Sequence, residues 1–329
     1  MNFDLSSAMK LAIGSAVFVA GALLAVTLDN YQLQVGTSLA MLCVLCWAWN
    51  FVGGYMGYPS LATSAFFGIG AYANAVAQLH GASLSVAWMV AGLAGGVIAA
   101  LVGVPMLRLK GHYFAVGSIA MVEVGREIAN NWDGLTGGAV GLNLPLMAGS
   151  PDYVSRFFYL AMLALAFLSF ALTLFIERTR FGFGLRCIRQ NEDAASMVGM
   201  DVFRYKVAAF VLSGVLCAMA GSIYASMVAF IEPKDAFNII TTIEIPVMVM
   251  LGGMGTLFGP MIGGVFYVVL KEFVWANFIN WHSGILGAII VAVIYFIPAG
   301  VFGTKWSLLI SRLRRSPERK PSKLAEIKG

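Results

Sequence analysis

Between Phe157 and Ile176 the chain reads FFYLAMLALAFLSFALTLFI, without a single charged residue. About 20 such residues are what a helix needs to cross the roughly 30 Å hydrocarbon core of a bilayer. Comparable stretches recur at 10–28, 33–52, 60–79, 84–107, 113–129, 205–229, 241–252, 258–276 and 283–303. The pattern predicts an all-α, polytopic integral membrane helix bundle with about 8–10 transmembrane helices. The stretches at 113–129 and 241–252 are the weakest, the first short and charged, the second short and holding Pro246. Re-entrant or broken segments are expected there, since irregular backbone at membrane depth survives only where protein or a water-filled cavity covers it.

Composition agrees. The 329 residues are 60% apolar and 11% charged, whereas a soluble domain carries about 25% charge. A soluble enzyme, a disordered chain and a nucleic-acid binder are excluded as leading readings. Cys43 and Cys46 form a C-x-x-C inside an apolar run with no second ligand pair, so they read as small buried hydrophobes rather than a zinc or redox site. His80, His112 and His282 lie in separate segments and make no metal pattern. No G-x-x-x-x-G-K-[ST] occurs, so the chain is not expected to hydrolyse ATP. No nucleophile–base spacing or catalytic pair of acids is found.

Two regions follow: a transmembrane domain over 1–303 and a basic tail over 304–329. Lys and Arg cluster at Arg108 and Lys110, along Arg178 to Lys206, and in the tail. With ten crossings all three clusters and both termini fall on one side, which the positive-inside rule assigns to the cytoplasm.

The longest polar segment between membrane stretches is 177–206, ERTRFGFGLRCIRQNEDAASMVGMDVFRYK. Glu192 and Asp193 start a short helix, where acids are favoured by the macrodipole, and Gly199 stops it. The small Ala194, Ala195 and Ser196 suit a helix seated in a groove of another protein; the plainer reading is a connection between two spans. Glu123, Arg126 and Glu127, at i, i+3 and i+4, share one helix face. They either line a polar path or pair near headgroups, because charge at the bilayer centre is costly. Glu244 either lines the path or caps a broken helix. Gly255, Gly259 and Gly263 are spaced for close helix approach, whether at a moving interface or in static packing. Two glycine-rich stretches, Gly53 to Tyr72 and Gly252 to Tyr267, are loosely alike, as an internal duplication or convergent packing would make them.

Several motifs carry a resemblance. Gly182, Gly184, Arg186, Arg189, Asn191, Glu192, Ala194, Ala195 and Gly199, followed by Lys206, resemble the cytoplasmic coupling loop of ABC-importer permeases for branched-chain amino acids. SLATSAFFGIGAY (60–72), LRLKGHYFAV (107–116), LTGGAVGL (135–142) and IEIPVMVMLGGMGTLFGPMIGG (243–264) are similar to further motifs of the family's M-type subunit, in the same order. The resemblance implies a permease subunit of the bacterial inner membrane. A periplasmic solute-binding protein would deliver the solute, and a homologous second permease would complete a heterodimeric path. Two cytoplasmic ATPase subunits would hold ATP and Mg, this chain having no cofactor of its own. Glu192, Ala195 and Gly199, flanked by Arg186 and Arg189, are then the expected ATPase contact, and Glu123, Arg126 and Glu244 the candidate path. The competing expectation is an ion-coupled secondary transporter or channel using Glu123, Glu127 and Glu244.

Overall fold

The computed structural model describes residues 7–277, together with Gly284 and Gly287. Apart from those two glycines, the expected span at 283–303 and the basic tail lie outside the described residues. In chain order the elements are α1 (Ser7–Leu24), α2 (Asn30–Trp49), a π-helical turn (Asn50–Tyr55), α3 (Thr63–Leu79), α4 (Leu84–Met106), α5 (His112–Asn131) and α6 (Asp133–Thr136). A 3-10 turn (Gly138–Val140), β1 (Leu142–Asn143), α7 (Pro151–Arg178), α8 (Arg180–Gln190), α9 (Glu192–Met197) and α10 (Val202–Val228) follow. The described part closes with β2 (Phe230–Ile231), α11 (Pro233–Ala236), α12 (Ile239–Gly252) and α13 (Gly259–Asn277).

The nine expected stretches that fall among the described residues are all helical. Five helical segments are long and apolar enough to cross a membrane by length and composition: 30–55, 84–106, 151–178, 202–228 and 233–252. The fold is an all-α membrane bundle. The weak stretch at 241–252 is a helix of 14 residues with Pro246 inside it. At 1.5 Å per residue it is about 21 Å long, short of a full crossing, and the chain completes the distance through the separate turn of α11.

α10 is the central helix and packs most extensively on α3 and α4, while α2 packs on α7. Small residues make these contacts. A Cβ on Gly70 of α3 would lie 2.0 Å from the Ala218 carbonyl oxygen of α10, and one on Gly95 of α4 would lie 2.3 Å from Ala218 Cβ. Such contacts let backbones approach, which drives helix association where no hydrophobic force acts between helices. The polar groups caught in this interface are satisfied: Asn74 and Gln78 of α3 and Trp88 of α4 all donate to Ser226 Oγ of α10. Outside, α4 presents Met89, Leu93, Val97 and Leu101 at four-residue spacing, an apolar stripe of the kind that faces lipid.

Two features differ from the sequence reading. Gly255 does not continue the Gly259–Gly263 stripe; it sits in the turn between α12 and α13 with φ +73°. Gly259 and Gly263 do lie on α13, where Cβ atoms would strike the carbonyl oxygens of Gly253 and Met248 at 2.2 and 1.9 Å. The segment 177–206 is not an open loop, because its first half folds as α8. Gly182 there packs on the Ile176 carbonyl and Gly184 on the Tyr205 ring, so the helix lies flat against the bundle.

Candidate functional site

The chain leaves α7 at Thr179 and turns into α8, which buries Gly182, Gly184, Leu185 and Ile188 and exposes Phe183. Asn191 then caps α9, its side chain accepting from the Ala194 N–H at 3.0 Å, with Glu192 and Asp193 in the first turn. Gly199 takes φ +85° beyond the helix end, and the Met200 N–H returns to the Ala195 carbonyl at 3.2 Å. This left-handed stop needs glycine. Asp201 caps α10 at once by accepting from the Arg204 N–H at 3.2 Å.

Two anchors tie α8 and α9 to the bundle. In the first, the Glu192 carboxylate accepts from Lys206 Nζ of α10 and from the Tyr58 hydroxyl of the α2–α3 connection. Lys206 is only 3% exposed, and its ammonium lies 4.4 Å from the Tyr58 ring centroid. Burial by itself would raise the Glu192 pKa. The hydrogen bonds from Lys206 and Tyr58 and the charges of Lys206 and Lys110 outweigh it, so the carboxyl is held below its ordinary value. Burial first, and then the neighbouring Glu192, push the Tyr58 phenol up, so it stays protonated and donates.

In the second anchor, the Arg189 guanidinium donates to the Gly54 carbonyl. Gly54 belongs to the π-helical turn, and Gly255 lies beside it. Asn50 Oδ1 accepts from the Gly255 N–H at 2.8 Å, and Asn50 Nδ2 donates to the Thr256 carbonyl at 3.1 Å. The two glycine-rich stretches singled out in the sequence therefore meet, and Arg189 seats where they meet. Its stem lies on Gly57, where a Cβ would be 2.8 Å from Arg189 Cγ, and a Cβ on Gly255 would be 2.8 Å from its terminal nitrogen.

Of the residues expected to face a partner, one is turned inward and others are tied to the bundle by hydrogen bonds. Ala195 is 5% exposed, and Glu192 and Arg189 are engaged by the bundle; Arg186 donates to the Glu177 carbonyl at 3.0 Å. The exposed surface of this segment includes Arg186, Arg189 and Asn191 as well as Asp193, Ala194, Ser196 and Gly199, with Met197 and Val198 at 87% and 86% exposure. Met197 and Val198 escaped the sequence reading because the helix register was set by the small residues; two exposed apolar side chains after a short acidic helix were the available signal.

The candidate path residues do not converge. Arg126 pairs with Glu123 and lies 4.0 Å from Glu127, all on α5. Glu244 sits on α12 beside the Tyr267 hydroxyl of α13. Cys43, Cys46 and Cys217 are buried, and no group of three metal-ligating side chains occurs among the described residues.

Residues 31–294 match a family model described as the branched-chain amino acid transport system permease component. The chain belongs to this family. Among similar proteins, the high-affinity branched-chain amino acid transport permease LivM of Salmonella typhimurium is 27% identical over 297 residues, spanning 82% of this chain and 69% of that one. A probable LivM of Methanocaldococcus jannaschii is 27% identical, covering 68% of this chain and 69% of its own length. LivH of Salmonella typhimurium is 24% identical, covering 82% and 92%. The permease is thus a multi-pass membrane protein and a transport subunit of an ATP-binding-cassette import system.

Proposed function

We propose that the permease translocates branched-chain amino acids as the M-type half of a heterodimeric path, driven by two ATPase subunits that grip α8 and α9. The similarity to LivM and LivH supports both the solute class and a homologous partner permease. ATP and Mg belong to the ATPases, and a periplasmic binding protein delivers the solute. The clustering of Arg108, Lys110, Arg178, Arg186, Arg204 and Lys206 at the α8–α9 end supports a cytoplasmic placement of that end, and with it of both termini, in a bacterial inner membrane.

The observation that carries the coupling role is the double anchorage. An ATPase pocket that takes Met197, Val198, Ser196 and Asp193 pulls on a helix pair that is hydrogen-bonded to α10 through Lys206 and to both glycine-rich turns through Arg189. Motion at α9 therefore reaches the central helix and the α2–α3 and α12–α13 connections together. In this reading Glu192, Ala195 and Gly199 shape and anchor α9, and its exposed residues make the contact. Arg126 with Glu123 and Glu244 remain the candidate charged groups of the path.

The test is reconstitution of the permease with its partner permease and ATPases in liposomes, supplied with loaded binding protein. ATP-dependent leucine uptake is expected, and Met197→Asp is expected to abolish it while the subunits still fold. Uphill accumulation by the purified chain alone, collapsed by a protonophore and indifferent to ATP, would identify an ion-coupled transporter instead.

A further inference from the structure

The connection between α4 and α5 belongs to the LRLKGHYFAV stretch (107–116), which the coupling role of α8 and α9 leaves unused. The chain makes a tight turn there. The Leu107 and Leu109 N–H groups donate to the Gly103 and Met106 carbonyls at 2.9 and 3.0 Å, and Leu107 is buried. A cavity of about 520 Å³ separates this turn from α9 and from the segment that leads into α10. Arg108 and Lys110 form one wall, Asp193 and Ser196 of α9 form the other, and the bonded Glu192 and Lys206 lie at its inner side. Asp193 and Ser196 are three apart and so share a face of α9. The exposed Met197 follows at the edge of that face.

The charges that line the cavity pair off with one exception. Lys206 is bonded to Glu192, Asp201 lies 2.9 Å from Arg204 Nε, and Lys110 lies 3.4 Å from Asp193. Arg108 is left over: among the described residues it makes no ion pair and no side-chain hydrogen bond. The cavity therefore presents one unmatched positive charge, on a guanidinium. Such a group takes a carboxylate through two parallel N–H bonds. In a concave site with less water around it, that pairing is stronger than on an open surface.

We propose that this cavity is a socket for an acidic side chain of the ATPase subunit, whose carboxylate is bound by Arg108. Docking is then reciprocal. The ATPase takes the exposed residues of α9, and α9 together with the α4–α5 turn takes a residue of the ATPase. The inference rests on the reading above that an ATPase grips α9; it adds a second permease element to the contact and names the chemistry of its counterpart. It also ties the ATPase to α4, on which the central helix α10 packs extensively. An anionic lipid headgroup matches the charge but not the place, since one wall of the cavity is the helix that the ATPase holds.

The experiment uses the complete transporter in nanodiscs and measures the affinity of the ATPase subunits for the permease pair. Arg108→Gln is expected to weaken binding about tenfold, the usual order for an interface arginine, and to lower its sensitivity to salt. Arg108→Lys keeps the charge but not the fork and is expected to recover part of the affinity. Arg108→Glu is expected to weaken binding further, and selection for restored uptake in that variant to return a Lys or Arg in place of an acidic residue of the ATPase. Benzoylphenylalanine incorporated in place of Arg108 is expected to crosslink to the ATPase. Affinity unchanged in Arg108→Gln and Arg108→Glu, with Met197→Asp abolishing it, overturns the socket and leaves the ATPase grip on α9 standing. Affinity unchanged in all three, with no crosslink from position 108, overturns the grip itself. An effect of Arg108→Gln that appears in nanodiscs containing phosphatidylglycerol and vanishes in pure phosphatidylcholine gives the cavity to a lipid headgroup and overturns the proposal.

Discussion

The two ends of the permease are held in opposite ways. At the α8–α9 end, Glu192, Lys206, Tyr58 and Arg189 fix the helices by directional, charge-assisted bonds. At the other end, Phe237 rests on the bare backbone of Gly68 and Gly125 and on the Tyr72 ring. Charge-assisted bonds resist displacement over a few tenths of an ångström. Dispersion contacts between a ring and smooth backbone are individually small and have alternatives nearby. In the proposed transport cycle the α8–α9 end is the one that is pulled, and the directional bonds lie there.

Cutting the stiff end is expected to have the largest effect. Lys206→Met leaves the partly buried Glu192 carboxylate with Tyr58 alone, and losing one member of such a pair costs about 3 kcal/mol. The expected result is a lower unfolding midpoint and ATP hydrolysis without leucine uptake. Adding Glu192→Gln removes the stranded charge and is expected to restore most of the stability but not the uptake. Recovery of uptake in the double variant would show that the bridge only stabilises.

Matched glycine substitutions sharpen the contrast. Gly255→Ala strains a backbone at φ +73° and pushes a Cβ to 2.8 Å from the Arg189 guanidinium; a left-handed alanine costs about 1–2 kcal/mol. Gly125→Ala presses the Phe237 ring at 2.7 Å for a comparable overpacking cost of about 1–2 kcal/mol. The first is expected to lower the ratio of uptake to ATP hydrolysis, the second to lower the unfolding midpoint at an unchanged ratio. Equal effects of both on the ratio would erase the distinction between the ends.

The spans were legible because hydropathy has one dominant cause, the dehydrated backbone of a bilayer helix. The α9 cap was legible for the same kind of reason: Asn191, Glu192 and Gly199 act on their own neighbours. Partners distant in sequence were not. Lys206 read as a flanking cation of a span until Glu192, 14 residues earlier, and Tyr58, 148 residues earlier, closed on it. Ala195 read as a contact residue because small size suits both a docking groove and a buried helix face, and only the tertiary packing separates the two. Gly255 read as helical because spacing by four does not reveal where a turn ends. The Phe237 wedge left no local pattern at all, since its glycines lie on two other helices.

The stiff end should also respond to acid. Glu192 has its pKa held down in the folded protein, so its stabilisation is present above the ordinary carboxylate value of about 4.3 and is lost as pH falls through the lower folded value. The carboxyl faces Lys206, Tyr58 and Lys110, so protonation releases it from two donors at once. Unfolding midpoints measured from neutral pH to about 3 are expected to fall more steeply in the wild type than in Glu192→Gln. Parallel curves would mean that another carboxylate governs the acid limb.

The smallest effect is expected where charge is present but water is too. Lys110 Nζ lies 3.4 Å from Asp193 Oδ1, with side chains 64% and 78% exposed. Such pairs contribute about 0–1 kcal/mol, because solvent screens the attraction and two long side chains lose freedom to make it. Lys110→Ala is therefore expected to leave both the unfolding midpoint and the ratio of uptake to hydrolysis within error, although it touches the same short helix as Lys206. A Lys110→Ala variant as uncoupled as Lys206→Met would move the anchor from the buried side of α9 to its surface. The pull would then be carried by net charge around the helix rather than by the buried bonds of Glu192.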